Sequence, residues 1–221
     1  MRIAAIGAHI DDIEIGCGGT LAKATRNGHS VQMIVMCDSA YTSFDGKVLR
    51  TVEEAIEEGK LAAQLLGVED LIVLDFAIKD VPYNSATVES LDRELSEFKP
   101  DLILTHWPFD THQDHRNTAL ATISAGRYIN NILMYEPFPP SGRSYHPFRP
   151  QVYFDVSETI DKKINALRKH ESQYKKYGEK WIESILGRAK MRGFDSFVNY
   201  AEAYEVVTIN LSGLLNKEPQ F

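Results

Sequence analysis

Two short windows concentrate the groups able to do chemistry. One is His9-Ile10-Asp11-Asp12-Ile13-Glu14; the other is His106-Trp107-Pro108-Phe109-Asp110-Thr111-His112-Gln113-Asp114-His115. Together they hold four of the chain's seven histidines, which a scatter of surface histidines would not do. His9, Asp12 and one histidine of the second window would supply two imidazoles and a carboxylate. That is the open three-ligand set of catalytic zinc, with a fourth position left for water. The same donors suit Fe(II) or Co(II). Asp11 and Asp12 are adjacent, and neighbouring side chains on extended backbone point to opposite sides, so one ion is not expected to capture both. One ligand and one general base is the natural division. A metal lowers the pKa of its water to about 7, and a nearby carboxylate can take the proton during attack.

His112 and His115 are three apart at a helix start and share a face, with Asp114 between them. One can bind metal while the other meets substrate, and an acidic neighbour favours keeping that second one protonated. A charged imidazole aimed at a carbonyl oxygen stabilises an oxyanion. Blander roles compete. Asp11 and Asp12 could cap the helix that follows, although capping does not call for His9. His106 is expected to be a strand-end histidine hydrogen-bonded in the core, and Asp110 is as readily a turn residue as a site residue. Gly16-Cys17-Gly18-Gly19 lacks the full GxGxxG pattern and follows an acidic loop that would repel a pyrophosphate; close helix–strand packing is the better reading.

The elements that must position these groups alternate in type. Short apolar runs at Arg2–Ala8, Ser30–Cys37, Asp70–Phe76, Asp101–Thr105, Asn131–Tyr135 and Gln151–Val156 read as strands. Between them, Gly16–Asn27, Arg50–Leu66, Val88–Phe98 and His115–Arg127 carry helical patterns, and Asp38–Val48, polar with Gly46, reads as a loop. A capped helix follows from Ser157 to about Tyr177, and another over Glu179–Arg192. Strands alternating with helices imply βαβ units and a mostly parallel sheet, whose sites form outside the carboxyl ends of strands. Both windows directly follow strands. Pro137–Pro150 carries five of the nine prolines and is expected to be an irregular loop.

Composition narrows the class. A chain of 221 residues reads as one domain with ample apolar material for a core. Its net charge of −7 lacks the footprint of a nucleic-acid or anionic-membrane binder. No uncharged stretch is long enough for a membrane span, and acidic residues arrive too early for a signal peptide. Cys17 and Cys37 are too few for a disulfide framework and fit a reducing, cytoplasmic setting.

On these residues the sequence resembles the PIG-L/LmbE-like family of metal-dependent N-deacetylases, whose hallmark is an AHPDDE-type motif after the first strand and an HxDH motif after a later one. Here they stand as Ala8-His9-Ile10-Asp11-Asp12-Ile13-Glu14 and His112-Gln113-Asp114-His115. Arg50 with Glu53, Glu54, Ala62-Ala63 and Leu66-Gly67 resembles the family's arginine-led helix. Lys163 through His170-Glu171-Ser172-Gln173 resembles its K…H-x-SQ segment, and Arg192-Gly193 with Tyr200-Ala201-Glu202-Ala203-Tyr204 its late RG…YAEAF stretch.

The resemblance implies a Rossmann-like three-layer α/β sandwich spanning 1–221 as one domain. It implies a single zinc held by His9, Asp12 and His115, Asp11 as general base, His112 as electrostatic and acid partner, Asp114 supporting His112, and Arg50 contacting substrate. Family members remove acetyl groups from N-acetylglucosamine-containing substrates, including glycolipid and thiol-cofactor precursors, and some act on related amides. The expected partner is thus an N-acetylated amino sugar or its conjugate, with neither nucleic acid nor membrane span; a homo-oligomer is compatible. A hydrolase of another amide or an ester uses the same machinery. A catalytically silent metal-binding α/β protein is free to lose Asp11 or His112, and neither is lost. Ile10 replaces the motif's proline, which removes no ligand but is expected to alter the turn. The loop 137–150, with Arg143, Tyr145, His146 and Arg149, is expected to shape the substrate site.

Overall fold

The first strand, β1 (Arg2–Gly7), divides its side chains between two cores. Ile3 and Ala5 pack into one, Ala4 and Ile6 into the other. Such a strand is central, in a sheet covered by helices on both faces. β2 (Ser30–Cys37) divides likewise, with Met33 and Val35 against Ile34 and Met36. The structure, a computed structural model, describes residues 1–212. In chain order the remaining elements are α1 (Asp12–Arg26), β3 (Tyr41–Thr42), β4 (Val48–Arg50), α2 (Val52–Leu66), β5 (Asp70–Phe76), α3 (Ser85–Phe98), β6 (Leu102–Thr105), α4 (Gln113–Ala125), β7 (Ile132–Tyr135), β8 (Val152–Asp155), α5 (Ile160–Leu167), α6 (Glu171–Tyr177), α7 (Glu179–Asp195) and β9 (Ala201–Thr208).

The seven-stranded sheet runs β5-β2-β1-β6-β7-β9-β8, parallel from β5 to β7, with β9 antiparallel to both its neighbours. Helices α1, α2 and α5 pack together on one face and α3 and α4 on the other, so the fold is the expected three-layer α/β sandwich. The chain winds outward from β1 through β2 to β5, then returns to β6 on the other side of β1. Strand order therefore reverses between β1 and β6, where a crevice opens at the carboxyl ends of the strands. The two chemistry-bearing windows follow these two strands.

Three expectations change. Loop 38–48 contains a two-stranded hairpin, β3–β4. The helix anticipated from Ser157 to about Tyr177 breaks into α5 and α6, and at the break the fully buried His170 turns its ring toward Glu14, 3.2 Å away. Strand β9 was not anticipated, because its sequence AEAYEVVT carries two glutamates where a buried strand would be apolar. Both are buried and paired. Glu205 meets Arg149 (2.7 Å) and accepts from Trp107 Nε1 (3.2 Å).

Glu202 has a more central part. Helix α1 is interrupted at Cys17 (φ −144°, ψ 15°), which frees backbone groups on both sides. The Glu202 carboxylate accepts from the N–H groups of Gly19 (2.9 Å) and Thr20 (2.7 Å), while Lys163 Nζ donates to the Ile15 carbonyl (2.8 Å) and to Glu202 itself (2.6 Å). Buried orphan backbone groups are costly, so this ion pair, fully enclosed, closes the break in α1. Replacing Lys163 by Met leaves an uncompensated buried carboxylate. We expect urea unfolding to register a loss of about 3–5 kcal/mol, with partial recovery when Glu202→Gln is added.

Candidate active site

The turn from β1 into α1 is tight because Gly7 permits it; a Cβ there would lie 2.8 Å from Ile13 Cγ1 and 3.3 Å from Asp12 Cβ. The turn closes on itself through the His9 N–H, which donates to Asp12 Oδ2 (2.7 Å). Asp11 occupies the N-cap position of α1 but makes no capping bond with its side chain, and its φ of 141° is one that L-residues rarely adopt. Backbone strain of this kind costs about 1–3 kcal/mol and clusters at functional sites. The carboxylate is turned to the crevice instead of serving the helix.

Ile10 shows what replaces the missing proline. Its N–H, which proline would lack, donates to Ser39 Oγ (2.8 Å). Ser39 is itself buried and left-handed (φ 59°), and its carbonyl accepts from Arg50 Nε (3.0 Å). One serine thus ties the first motif to Arg50.

After β6, Asp110 organises the second window. Its Oδ1 accepts from the His112 N–H (2.8 Å) and its Oδ2 pairs with His115 Nδ1 (3.0 Å), so it is both turn residue and orienting residue. His112 caps α4 by accepting the Asp114 N–H at Nδ1 (3.2 Å), a bond that assigns the ring hydrogen to Nε2. Nε2 has no hydrogen-bond partner among the described residues.

The windows meet in one buried cluster. His9 Nδ1 lies 3.1 Å from His115 Nε2 and 3.2 Å from Asp12 Oδ2, and His115 Nε2 lies 3.4 Å from Asp12 Oδ1. His106 is buried beside them, its Nε2 3.0 Å from the Ala8 N–H and 3.1 Å from Asp12 Oδ2. Asp114 is completely buried and accepts from the Lys79 (2.7 Å) and Val81 (3.2 Å) N–H groups, with His9 Nε2 at 3.0 Å. It stands 4.0 Å from His112 Nδ1, so its carboxylate braces His9 while only its backbone engages His112. Arg50, 2% exposed, also pairs with Glu58 (3.4 Å).

Charge follows from this packing. Burial alone would raise Asp12, but the imidazoles of His115, His106 and His9 outweigh it and hold the carboxyl well below its usual range. Burial would lower His9, yet the Asp12 and Asp114 carboxylates hold it well above 6.5. His112 behaves oppositely: burial and the neighbouring His9 and His115 rings push it down to about 4, outweighing Asp114. It is a neutral donor here, not the cation that its acidic neighbour suggests. Burial and the Asp12 charge raise Asp11 to about 6.

A cavity of about 470 Å³ opens over the cluster, lined by His9, Asp11, Asp12, Arg50, His106, Asp110, His112 and His115. Of the proline-rich loop, only Pro137–Ser141 reaches it. Arg143, Tyr145, His146 and Arg149 do not, and Arg149 is turned to Glu205. Further wall residues include Tyr41, Lys79, Gln173, Lys176, Lys180 and Trp181. No linear spacing marks these residues as neighbours; the hairpin, the β5–α3 loop and the α6–α7 corner bring them to the site.

The chain has known relatives. Residues 4–126 match the PIG-L family, described as GlcNAc-PI de-N-acetylase. The chain belongs to that family. It is 35% identical to the uncharacterized deacetylase YaiS of Escherichia coli (strain K12), across 77% of this chain and 90% of that protein. It is 28% identical to the diacetylchitobiose deacetylase of Thermococcus kodakarensis, across 93% of this chain and 83% of that one. The N,N'-diacetylchitobiose deacetylase from Pyrococcus horikoshii, solved with its inhibitor MPG, shares the fold with a TM-score of 0.81 at 23% identity, covering 100% of this chain and 87% of its own.

The Ser39–Ile10 bond can be measured directly. Ser39→Ala strands a buried N–H and should cost about 1–3 kcal/mol in urea unfolding. In an Ile10→Pro background there is no N–H to strand, so the same substitution should cost distinctly less. Equal costs in the two backgrounds would show the bond to be unimportant.

Proposed function

We propose that this chain is a metal-dependent N-deacetylase that removes the acetyl group from an N-acetylated amino sugar or its conjugate. The observation that carries the reading is the convergence of His9 Nδ1 and His115 Nε2, 3.1 Å apart, on the Asp12 carboxylate, whose Oδ2 lies 3.2 Å from the first and whose Oδ1 lies 3.4 Å from the second, beneath a cavity that Asp11 also lines. Tetrahedral zinc, with bonds of about 2.0–2.1 Å to nitrogen and oxygen, sets its ligand atoms about 3.3–3.4 Å apart, so the donor set fits. Iron(II) or cobalt(II) would suit the same donors.

Two overlapping groups of possible ligands compete, His9 with His112 and His115, and Asp12 with His106 and His115. Ring orientation argues against both. His115 stacks on His106 at 17° and on His112 at 22°, and nearly parallel rings direct their in-plane lone pairs side by side instead of at one point. His9 and His115 are inclined at 56°, which allows convergence. The supporting carboxylates agree: with Asp114 on His9 Nε2 and Asp110 on His115 Nδ1, each proposed ligand keeps its other nitrogen for the ion.

Bound there, the ion supplies Lewis acidity. Asp11, strained toward the cavity and raised to about 6, takes a proton from the attacking water. As the carbonyl carbon becomes tetrahedral, the free Nε2–H of His112 donates to its oxygen. The C–N bond then breaks, the amine takes up the proton that Asp11 removed from water, and acetate and the free amino sugar leave. Arg50 has spent Nε on Ser39 and Nη1 on Glu58, so its remaining Nη2 donors serve the substrate.

Purified protein should carry about one divalent metal per chain, and full activity in a demonstrably metal-free sample would refute the reading. Asp12→Asn should lower metal affinity, with partial rescue by excess zinc. Asp11→Asn should retain metal yet lose about 10²–10⁴ in kcat without rescue. His112→Ala should keep its metal and lose about 10²–10³ in kcat, whereas His115→Ala should lose the metal. Metal content and acetate release, measured for all four at several zinc concentrations, separate these roles.

A further inference from the structure

The cavity walls carry a charge pattern that amide hydrolysis does not require. Lys79 from the β5–α3 loop, Lys176 from α6 and Lys180 from α7 all line the cavity and are exposed. None forms an ion pair among the described residues. The acids on the same walls are already engaged: Asp12 and Asp110 by histidines, and Glu136 by Arg192 (2.8 Å). Asp11 shares the wall with the cation Arg50. The mouth is therefore positive in a chain whose net charge is −7.

The lysines are also placed. Lys79 and Lys176 approach the same Tyr41 ring, their Nζ atoms 5.6 and 4.9 Å from its centre. Lys79 is held in a left-handed conformation (φ 68°) by two bonds to the second motif: its N–H donates to Asp114 Oδ2 (2.7 Å) and its carbonyl accepts from Gln113 Nε2 (3.0 Å). A cation anchored by its backbone to the site's own carboxylate keeps a fixed relation to the reacting centre. Focused positive potential at a cavity mouth recruits anions.

We propose that Lys79, Lys176 and Lys180 form a subsite for an anionic group, phosphate or carboxylate, on the sugar's aglycone, so that the preferred substrate is an anionic conjugate of an N-acetylated amino sugar. This rests on the deacetylase reading for the word substrate, but the subsite itself is a matter of binding. An exposed ammonium–anion pair contributes about two- to fivefold in affinity, so three acting together give about tenfold or more.

The 221-residue chain is titrated with N-acetylglucosamine 1-phosphate, the carboxymethyl glycoside of N-acetylglucosamine and its neutral methyl glycoside. Binding is followed calorimetrically and acetate release is measured in parallel. Both anionic compounds should bind about tenfold tighter than the neutral one, with the advantage shrinking as salt rises. The Lys79→Gln, Lys176→Gln, Lys180→Gln triple variant should lose most of that ratio, whereas Lys162→Gln, an exposed lysine on α5, should keep it. Preference for only the phosphate or only the carboxylate identifies the group. Equal binding of all three compounds, failure of both anionic compounds to bind, or an anion preference that survives the triple variant overturns the proposal. Lysine-dependent anion preference without acetate release from any compound overturns the deacetylase reading and leaves the subsite standing.

Discussion

Asp12 is a carboxylate taken almost wholly out of water at the point where the sheet reverses its winding. A buried charge of that kind is tolerable only when surrounded by compensating partners. The imidazoles of His9 and His115 and the His9 N–H supply them, and the rings around the carboxylate are in turn held by something else. His9 leans on Asp114, His115 on Asp110, and His106 lies against the Ala8 N–H. Asp114 gathers the N–H groups of Lys79 and Val81, while Asp110 takes that of His112. Compensation of one carboxylate thus dictates the course of both loops around it. The same constraint leaves Asp11 facing the cavity, because its neighbour has claimed the nearby imidazoles.

The helix that carries Asp12 needs its own support from distant chain. Its break at Cys17 is closed by Lys163 from α5 and Glu202 from β9, residues separated from it by most of the sequence. Tyr204 extends that network by donating to Thr20 Oγ1 (2.7 Å). The later segments that resemble the family's pattern therefore shape the platform, and the two early motifs furnish the reactive groups. The buried polar residues here are numerous but largely reciprocal, which suits a rigid site better than an apolar core would.

Specificity has a different origin. The cavity floor is built from the motifs, whereas its walls come from the β3–β4 hairpin, the β5–α3 loop and the α6–α7 corner. The β5–α3 loop is tied to the floor through the Lys79 and Val81 N–H groups on Asp114, whereas among the described residues the hairpin and the α6–α7 corner supply no side chain to the two main core clusters that flank the sheet.

Much was legible in the residues alone. Alternation of apolar strands with amphipathic helices defined the parallel α/β sandwich, since period-2 and period-3.6 patterns are local properties of the chain. The placement of both histidine–aspartate windows directly after strands marked the crevice, because sites in such sheets form at strand ends. Strand β9 was hidden: its glutamates look solvent-facing until Lys163 and Arg149, remote in sequence, neutralise them. So were the partner of Asp114, the donor from Ile10 to Ser39 and the protonation of His112. Each depends on which groups come within about 3–4 Å after folding, and on how much water is removed around them. Residue types and local spacing determined the fold class and the reactive groups; packing decided which carboxylate holds which imidazole, because hydrogen bonding and desolvation act across space and leave no trace in spacing along the chain.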